Sequence, residues 1–210
     1  MTDPVRAAIA EERRRVADLV DSLSPAQLET PSLCGAWTVR QVAGHLVAAV
    51  EATRGAMFSA MLRSGFRLHR ANALLAVEVA AQPPAVLADA LRRRAHDDFR
   101  LPIVGYPGQL TDLQVHGQDM RRPLGLPHGL TLDHVRMSLD FLTSGRAAGF
   151  TPRRRPAGLR LEATDLDWAY GAGALVSGPA EALMMALTGR AQVLGEIDGP
   201  GVRVLAARIT

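Results

Sequence analysis

Residues 112–125 read D-L-Q-V-H-G-Q-D-M-R-R-P-L-G. Asp112 and His116 stand four apart, which on a helix puts both side chains on one face, one turn above the other. Leu113 and Val115 between them can turn toward packed neighbours, and Pro123 closes the segment because proline cannot continue a helix. A carboxylate and an imidazole presented this way can share a metal ion, as the two histidines of H-E-x-x-H do. A surface Asp–His contact near a helix end has the same spacing. A third candidate ligand, His45, on a separate helix, favours the metal reading; its own alternative is a satisfied core histidine.

Upstream, helices are expected throughout. Asp3-Pro4 is an N-cap followed by proline at the first helical position. Ala8, Ile9, Val16, Leu19, Val20 and Leu23 then form an apolar stripe, with Glu11, Glu12 and Arg13–Arg15 as a solvated face. Ser24-Pro25 starts a short turn. Thr38 to Gln41 has capping-box form, Trp37 is placed to staple the first turn, and the helix bearing His45 is expected to run to Leu62. Phe66–Ala81 is expected as a helix with Leu68, Leu74, Leu75 and Val79 inward, and residues 85–99 as another after Pro83-Pro84. The stretch L-P-I-V-G-Y-P-G at 101–108 reads as a loop leading into the Asp112 helix.

Downstream, a helix capped by Thr131 or Asp133 should stop at Gly145. Arg146–Pro156 reads as a polar linker, its arginine triplet Arg153–Arg155 a solvated connector. Strands are expected at 159–163, 167–170 and 174–176, then a helix from Pro179 closed by Gly189, then strands at 192–197 and 202–209. The fold class expected is α+β: a helical domain over 1–150 and a small α+β domain over 151–210.

Composition bounds the function. The chain of 210 residues is 48% hydrophobic and 21% charged, large enough for a real core. All 24 basic residues are arginine, and the net charge is only +3. The arginines are scattered apart from three triplets, Arg13–Arg15, Arg92–Arg94 and Arg153–Arg155, so no nucleic-acid partner is expected. Cys34 is the only cysteine, which excludes an internal disulfide and fits a reducing cytoplasm. A single thiol near a helix start could be misread as a nucleophile; burial against Trp37 is the expectation. The N-terminus lacks a signal-peptide core, and no apolar run approaches the roughly 20 residues of a membrane span. A cytoplasmic protein with no membrane partner is expected; the oligomeric state stays open.

The motif W-T-V-R-Q-V-A-G-H-L, followed in order by D-L-Q-V-H-G-Q-D and G-P-A-E-A-L-M-M-A-L-T-G-R, resembles the mycothiol-dependent maleylpyruvate isomerase family over nearly the whole chain. That resemblance implies a DinB-like metal-binding four-helix bundle followed by a small C-terminal domain. It implies a divalent metal, usually zinc, held by His45, Asp112 and His116, with Asp112 standing where the family usually has glutamate. The shorter acid requires a closer backbone or an intervening water, since zinc–carboxylate bonds of about 2.0–2.2 Å leave little slack. The open metal position would take the sulfur of mycothiol or a similar low-molecular-weight thiol, whose thiolate adds to a cis-enedione and is eliminated after rotation. Arg190 matches an arginine that holds a substrate carboxylate; a helix-end arginine is the alternative. Asp119 is either a support for His116 or a structural cap. The function implied is a metal-dependent thiol isomerase or S-transferase acting on a small electrophilic, carboxylated substrate. The alternatives are a non-catalytic metal- or small-ligand-binding member and an apolar-ligand carrier, since the C-terminal part loosely resembles sterol-carrier-like domains.

Overall fold

The computed structural model describes residues 3–35, 37–97, 104–147 and 149–209. The fold is a helical bundle with a small α+β domain, as expected. Two compact units are distinguished: one of Met1–Phe99 with His116–His128, the other of Arg100–Val115 with Gly129–Thr210. No single described helix is long and apolar enough to cross a membrane.

The first unit opens with α1 (Pro4–Ser22), whose first turn is capped by Asp3 Oδ1 accepting from the Val5 amide at 3.0 Å. Ser24 and Gln27 form a full capping box on the short α2 (Pro25–Leu28). Three helices follow, α3 (Val39–Glu51), α4 (Arg54–Arg63) and α5 (Leu68–Ala80), then α6 (Pro84–Arg93). Helix α3 packs on α5 and α6, and α1 packs along α6. Small residues let α3 and α5 approach closely. A Cβ on Gly44 would lie 2.8 Å from Ala80 and nearer still to the Ala76 carbonyl.

Four expectations for this unit are corrected. The helix from Thr38 to Leu62 is two helices, because Ala52 and Thr53 adopt extended backbone and Thr53 Oγ1 caps Ala56 at 3.1 Å. Helix α5 begins at Leu68 rather than Phe66, and Leu68 is exposed, while Leu75 is buried. The helix expected over 85–99 ends at Arg93; Phe99 lies outside the described residues. Glu12 and Arg13 are not on a solvated face but are buried. The Arg13 guanidinium donates to the carbonyls of Arg94 and Ala95, just beyond the C-terminus of α6, where the helix dipole favours a cation. Burial, the larger influence, lowers the pKa of Arg13. The Arg92–Arg94 triplet is a solvated one, with Arg92 spanning Asp18 and Asp21 of α1 at 2.7 and 2.6 Å.

Helix α7 (Gly105–Arg121) carries the D-x-x-x-H pair and continues into a 3₁₀ turn at Arg122–Leu124, where Pro123 and the left-handed Gly125 end it. It starts four residues earlier than the loop reading of 101–108 allowed. Pro107 falls in the first turn, where a missing N–H costs nothing; residues 101–103 lie outside the described residues.

In the second unit α8 (Leu132–Thr143) follows Thr131, and α9 (Ala180–Leu187) packs against it and the sheet. Every residue of α9 is buried, and all but Glu181 in its first turn are apolar. The sheet has order β2-β1-β3, with β1 (Leu159–Ala163) antiparallel to β2 (Ala169–Tyr170) and parallel to β3 (Ala174–Gly178). These strands match expectation. The two later ones do not: Ala191–Glu196 is a 3₁₀ helix and Val202–Ala206 is α10. Their short apolar stretches, Val193-Leu194 and Val204-Leu205 with Val202 before Arg203, fit either period, and burial of Val193 and Leu205 accompanies the helical one. The expected linker is likewise pinned. Thr151 is buried and donates to the Leu187 carbonyl at 2.7 Å, and Arg155 donates to the same carbonyl at 2.8 Å.

Candidate metal centre

Two local structures present His45. The capping box of α3 forms as read, with the Gln41 amide 3.3 Å from Thr38 Oγ1 and the Thr38 amide 3.0 Å from Gln41 Oε1. One residue before His45, Gly44 locks α3 against α5, so the half-buried imidazole is carried on a helix that cannot slide or roll freely.

His116 comes from α7. Its ring lies edge-on to His45, centroids 4.9 Å apart at 75°. Trp37 stacks obliquely by both, 5.3 Å from His45 and 6.4 Å from His116. The turn carrying Trp37 is tied to α7 by the Leu33 amide, which donates to the Asp119 carbonyl at 3.1 Å. Trp37 was expected as a helix staple; the structure places it over the two imidazoles.

Asp119 settles the orientation of His116. Its carboxylate is fully buried, and Oδ2 lies 2.9 Å from His116 Nδ1. A buried carboxylate accepts, so Nδ1 carries the proton and Nε2 keeps the lone pair that a metal ligand needs.

Asp112 sits one turn before His116 on the same unbroken helix, so helix geometry alone sets its place beside that ring. One ligand atom from each of His45, Asp112 and His116 lies within 4.8 Å of the others. A tetrahedral ion with bonds of about 2.1 Å needs donors about 3.4 Å apart, within reach of modest side-chain rotation. The donor set therefore fits one divalent ion with two nitrogens and an oxygen. A second set, Cys34 with His116 and Asp119, meets the same distance. An ion there would have to replace the His116–Asp119 hydrogen bond, so the first set is the better one. The closeness of Cys34 to this pair was not legible, because Cys34 and His116 are 82 residues apart in the chain.

Arg190 follows α9 through a Schellman turn. Its amide bonds to the Met185 carbonyl and that of Gly189, at φ +97°, to Ala186, both at 3.0 Å. Arg190 Nη1 donates to the Thr188 carbonyl at 2.9 Å. The neighbouring Arg155 guanidinium has its pKa lowered, first by burial and then by repulsion from Arg154 and Arg190. His96, His128 and His134 belong to neither of the donor sets found among the described residues.

Comparison with known proteins adds the following. Residues 9–99 match the model of the mycothiol maleylpyruvate isomerase N-terminal domain, a span that contains His45 but stops before α7. No curated protein matches the chain. Among solved structures, the mycothiol-dependent maleylpyruvate isomerase is similar at 16% identity and a TM-score of 0.58, with 95% of this chain and 96% of that one covered. A histidine-to-alanine mutant of such an enzyme is similar at 15% identity and a TM-score of 0.59, over the same shares. At these identities the structural likeness establishes the fold. Residues 9–99 are thus similar to the N-terminal domain of mycothiol maleylpyruvate isomerases, and the fold of those isomerases extends over nearly the whole length of the chain.

Proposed function

We propose that the protein is a metal-dependent thiol enzyme, an isomerase or S-transferase of the mycothiol type, acting on a small electrophilic and carboxylated substrate. The observation that supports this most is the convergence of His45, Asp112 and His116, with His116 oriented by Asp119. In this reading those three residues hold a divalent ion, zinc by donor type. When bound, such an ion lowers the pKa of a coordinated thiol and so supplies a thiolate near neutral pH.

The chain's own residues do the rest. Asp119 holds the His116 ring in one tautomer, so no reorientation is needed when ligands exchange. Trp37 shields the two imidazoles from bulk water on one side. Arg190 is proposed to hold the substrate carboxylate, since guanidinium grips carboxylate with two parallel hydrogen bonds and stays charged when partly buried. The names of the similar structures make mycothiol and maleylpyruvate the first thiol and substrate to try.

Metal content by mass spectrometry should be about one ion per chain and should fall in His45→Ala and His116→Ala. Equal metal in all three proteins overturns the reading. With the metal established, thiol-dependent turnover is screened against maleyl-type acids. Metal without any such turnover would leave a binding protein. Arg190→Ala should keep its metal and its fold but lose about ten-fold or more in rate, roughly 1.4 kcal/mol in the barrier. A variant as fast as the wild type makes Arg190 a helix-end arginine only.

A further inference from the structure

We propose that the corner between α4 and α5 is a docking surface for an anionic lipid bilayer. Between Glu51 and Glu78 the chain carries Arg54, Arg63, Arg67 and Arg70 and no acidic residue. All four arginines are exposed. Arg63 is paired with Glu78, and among the described residues no ion pair engages the other three.

The same corner exposes large apolar side chains: Phe58 at 61%, Leu62 at 51%, Phe66 at 65% and Leu68 at 56%. Their exposure is not a by-product of packing. Helix α4 already buries one face, with Ala56, Met57, Ala60 and Met61 against Ala48, Ala71 and Leu75. Phe58 and Leu62, four apart, form a second apolar stripe on its outer side, with Arg54 one turn before them. The turn that follows is a Schellman closure: the Gly65 amide bonds to Leu62 at 3.1 Å and the Phe66 amide to Met61 at 2.7 Å. Phe66 stands there at φ +59°, alone among the described non-glycine residues in having positive φ. Glycine would hold this turn without strain, yet the position carries an aromatic ring held out in solvent.

Aromatic and aliphatic side chains ringed by arginine suit a bilayer boundary, where rings enter the headgroup layer and guanidinium groups meet lipid phosphates. A second copy suits the patch less well, because a two-fold contact would set the arginines of one copy against those of the other. That no single described helix is long and apolar enough to cross a membrane does not bear on a surface contact of this kind.

The test is flotation of the full chain with vesicles of phosphatidylcholine alone and of phosphatidylcholine mixed with phosphatidylglycerol, at low and high salt. Binding is expected only to the anionic vesicles and should weaken with salt. Arg67→Glu with Arg70→Glu should weaken it about ten-fold or more, as should Phe58→Ser with Leu62→Ser. Phe66→Gly discriminates a surface role from a structural one: vesicle binding should fall while the melting temperature does not. No binding to anionic vesicles, or binding unchanged in the variants, overturns the proposal. So does a dimer seen in sedimentation that the same substitutions abolish, or capture by polyglutamate with no vesicle binding.

Discussion

In the proposed metal centre, Asp112 is the residue on which affinity would turn. Its side chain is one methylene shorter than glutamate, and its helix position is fixed by α7. If the carboxylate stretches to reach an ion shared with His45 and His116, Asp112→Glu should bind metal at least as tightly as the wild type in a chelator competition. Clearly weaker binding would mean that α7 is already placed for aspartate and that the longer acid overpacks. Asp119→Asn probes the other side of the same ring. The amide can present the wrong dipole to Nδ1, so metal affinity should drop by about 10–100-fold while His45, Asp112 and His116 remain in place. An unchanged affinity would reduce Asp119 to a structural cap. At this scale the sequence was informative where side chains share a helix: Asp112, His116 and Asp119 recur at helical spacing. It was silent where they do not, as for Trp37 over both imidazoles and Cys34 beside Asp119, because loop backbone carries no period.

At the scale of elements, α3 is held by its contact with α5, and Gly44 is a point of close approach. Gly44→Ala raises intrinsic helix propensity by about 1 kcal/mol, yet its Cβ would meet backbone and Ala80 at distances real Cβ atoms do not adopt. Backbone must move, so a net loss of about 1–3 kcal/mol is expected in denaturant unfolding. Because His45 is the next residue, metal affinity should fall with it. A variant as stable as wild type would show that the helices can part without cost. The same element shows what pattern reading cannot see. Thr38–Gln41 announced the start of α3 by chemistry confined to four residues, whereas its end at Ala52 depends on Thr53 capping α4, with no glycine or proline there to mark a break. The residues 192–197 and 202–209 were misread for the related reason that a run of two to four apolar residues has no resolvable period; tertiary burial of Val193 and Leu205 accompanies the helical form. Longer signals, the stripe of α1 and the alternation of β1, were legible because many residues agree.

For the whole molecule, an ion at the candidate centre would make metal binding a folding term. His45 and His116 are brought together by packing of α3 and α7 in the first unit, and 71 residues separate them in the chain, so the unfolded state has no comparable site. An ion that binds only the native state stabilises it by about 2.7 kcal/mol at a hundred-fold excess over Kd. For a chain of this size each kcal/mol moves the midpoint by roughly 2–4 °C. Zinc should therefore raise the melting temperature of the metal-free protein by about 5–11 °C at that excess, reversibly on chelation. Imidazole must give up its proton to ligate, so the increment shrinks as pH is lowered. His116→Ala supplies the control. It removes a donor and leaves buried Asp119 without its His116 partner, so its metal-free form should melt lower than wild type; its decisive property is that added zinc no longer shifts the transition. If zinc raises the midpoint of His116→Ala as much as that of the wild type, the stabilisation comes from another site. His45, Asp112 and His116 would then be a polar cluster that merely resembles a metal centre.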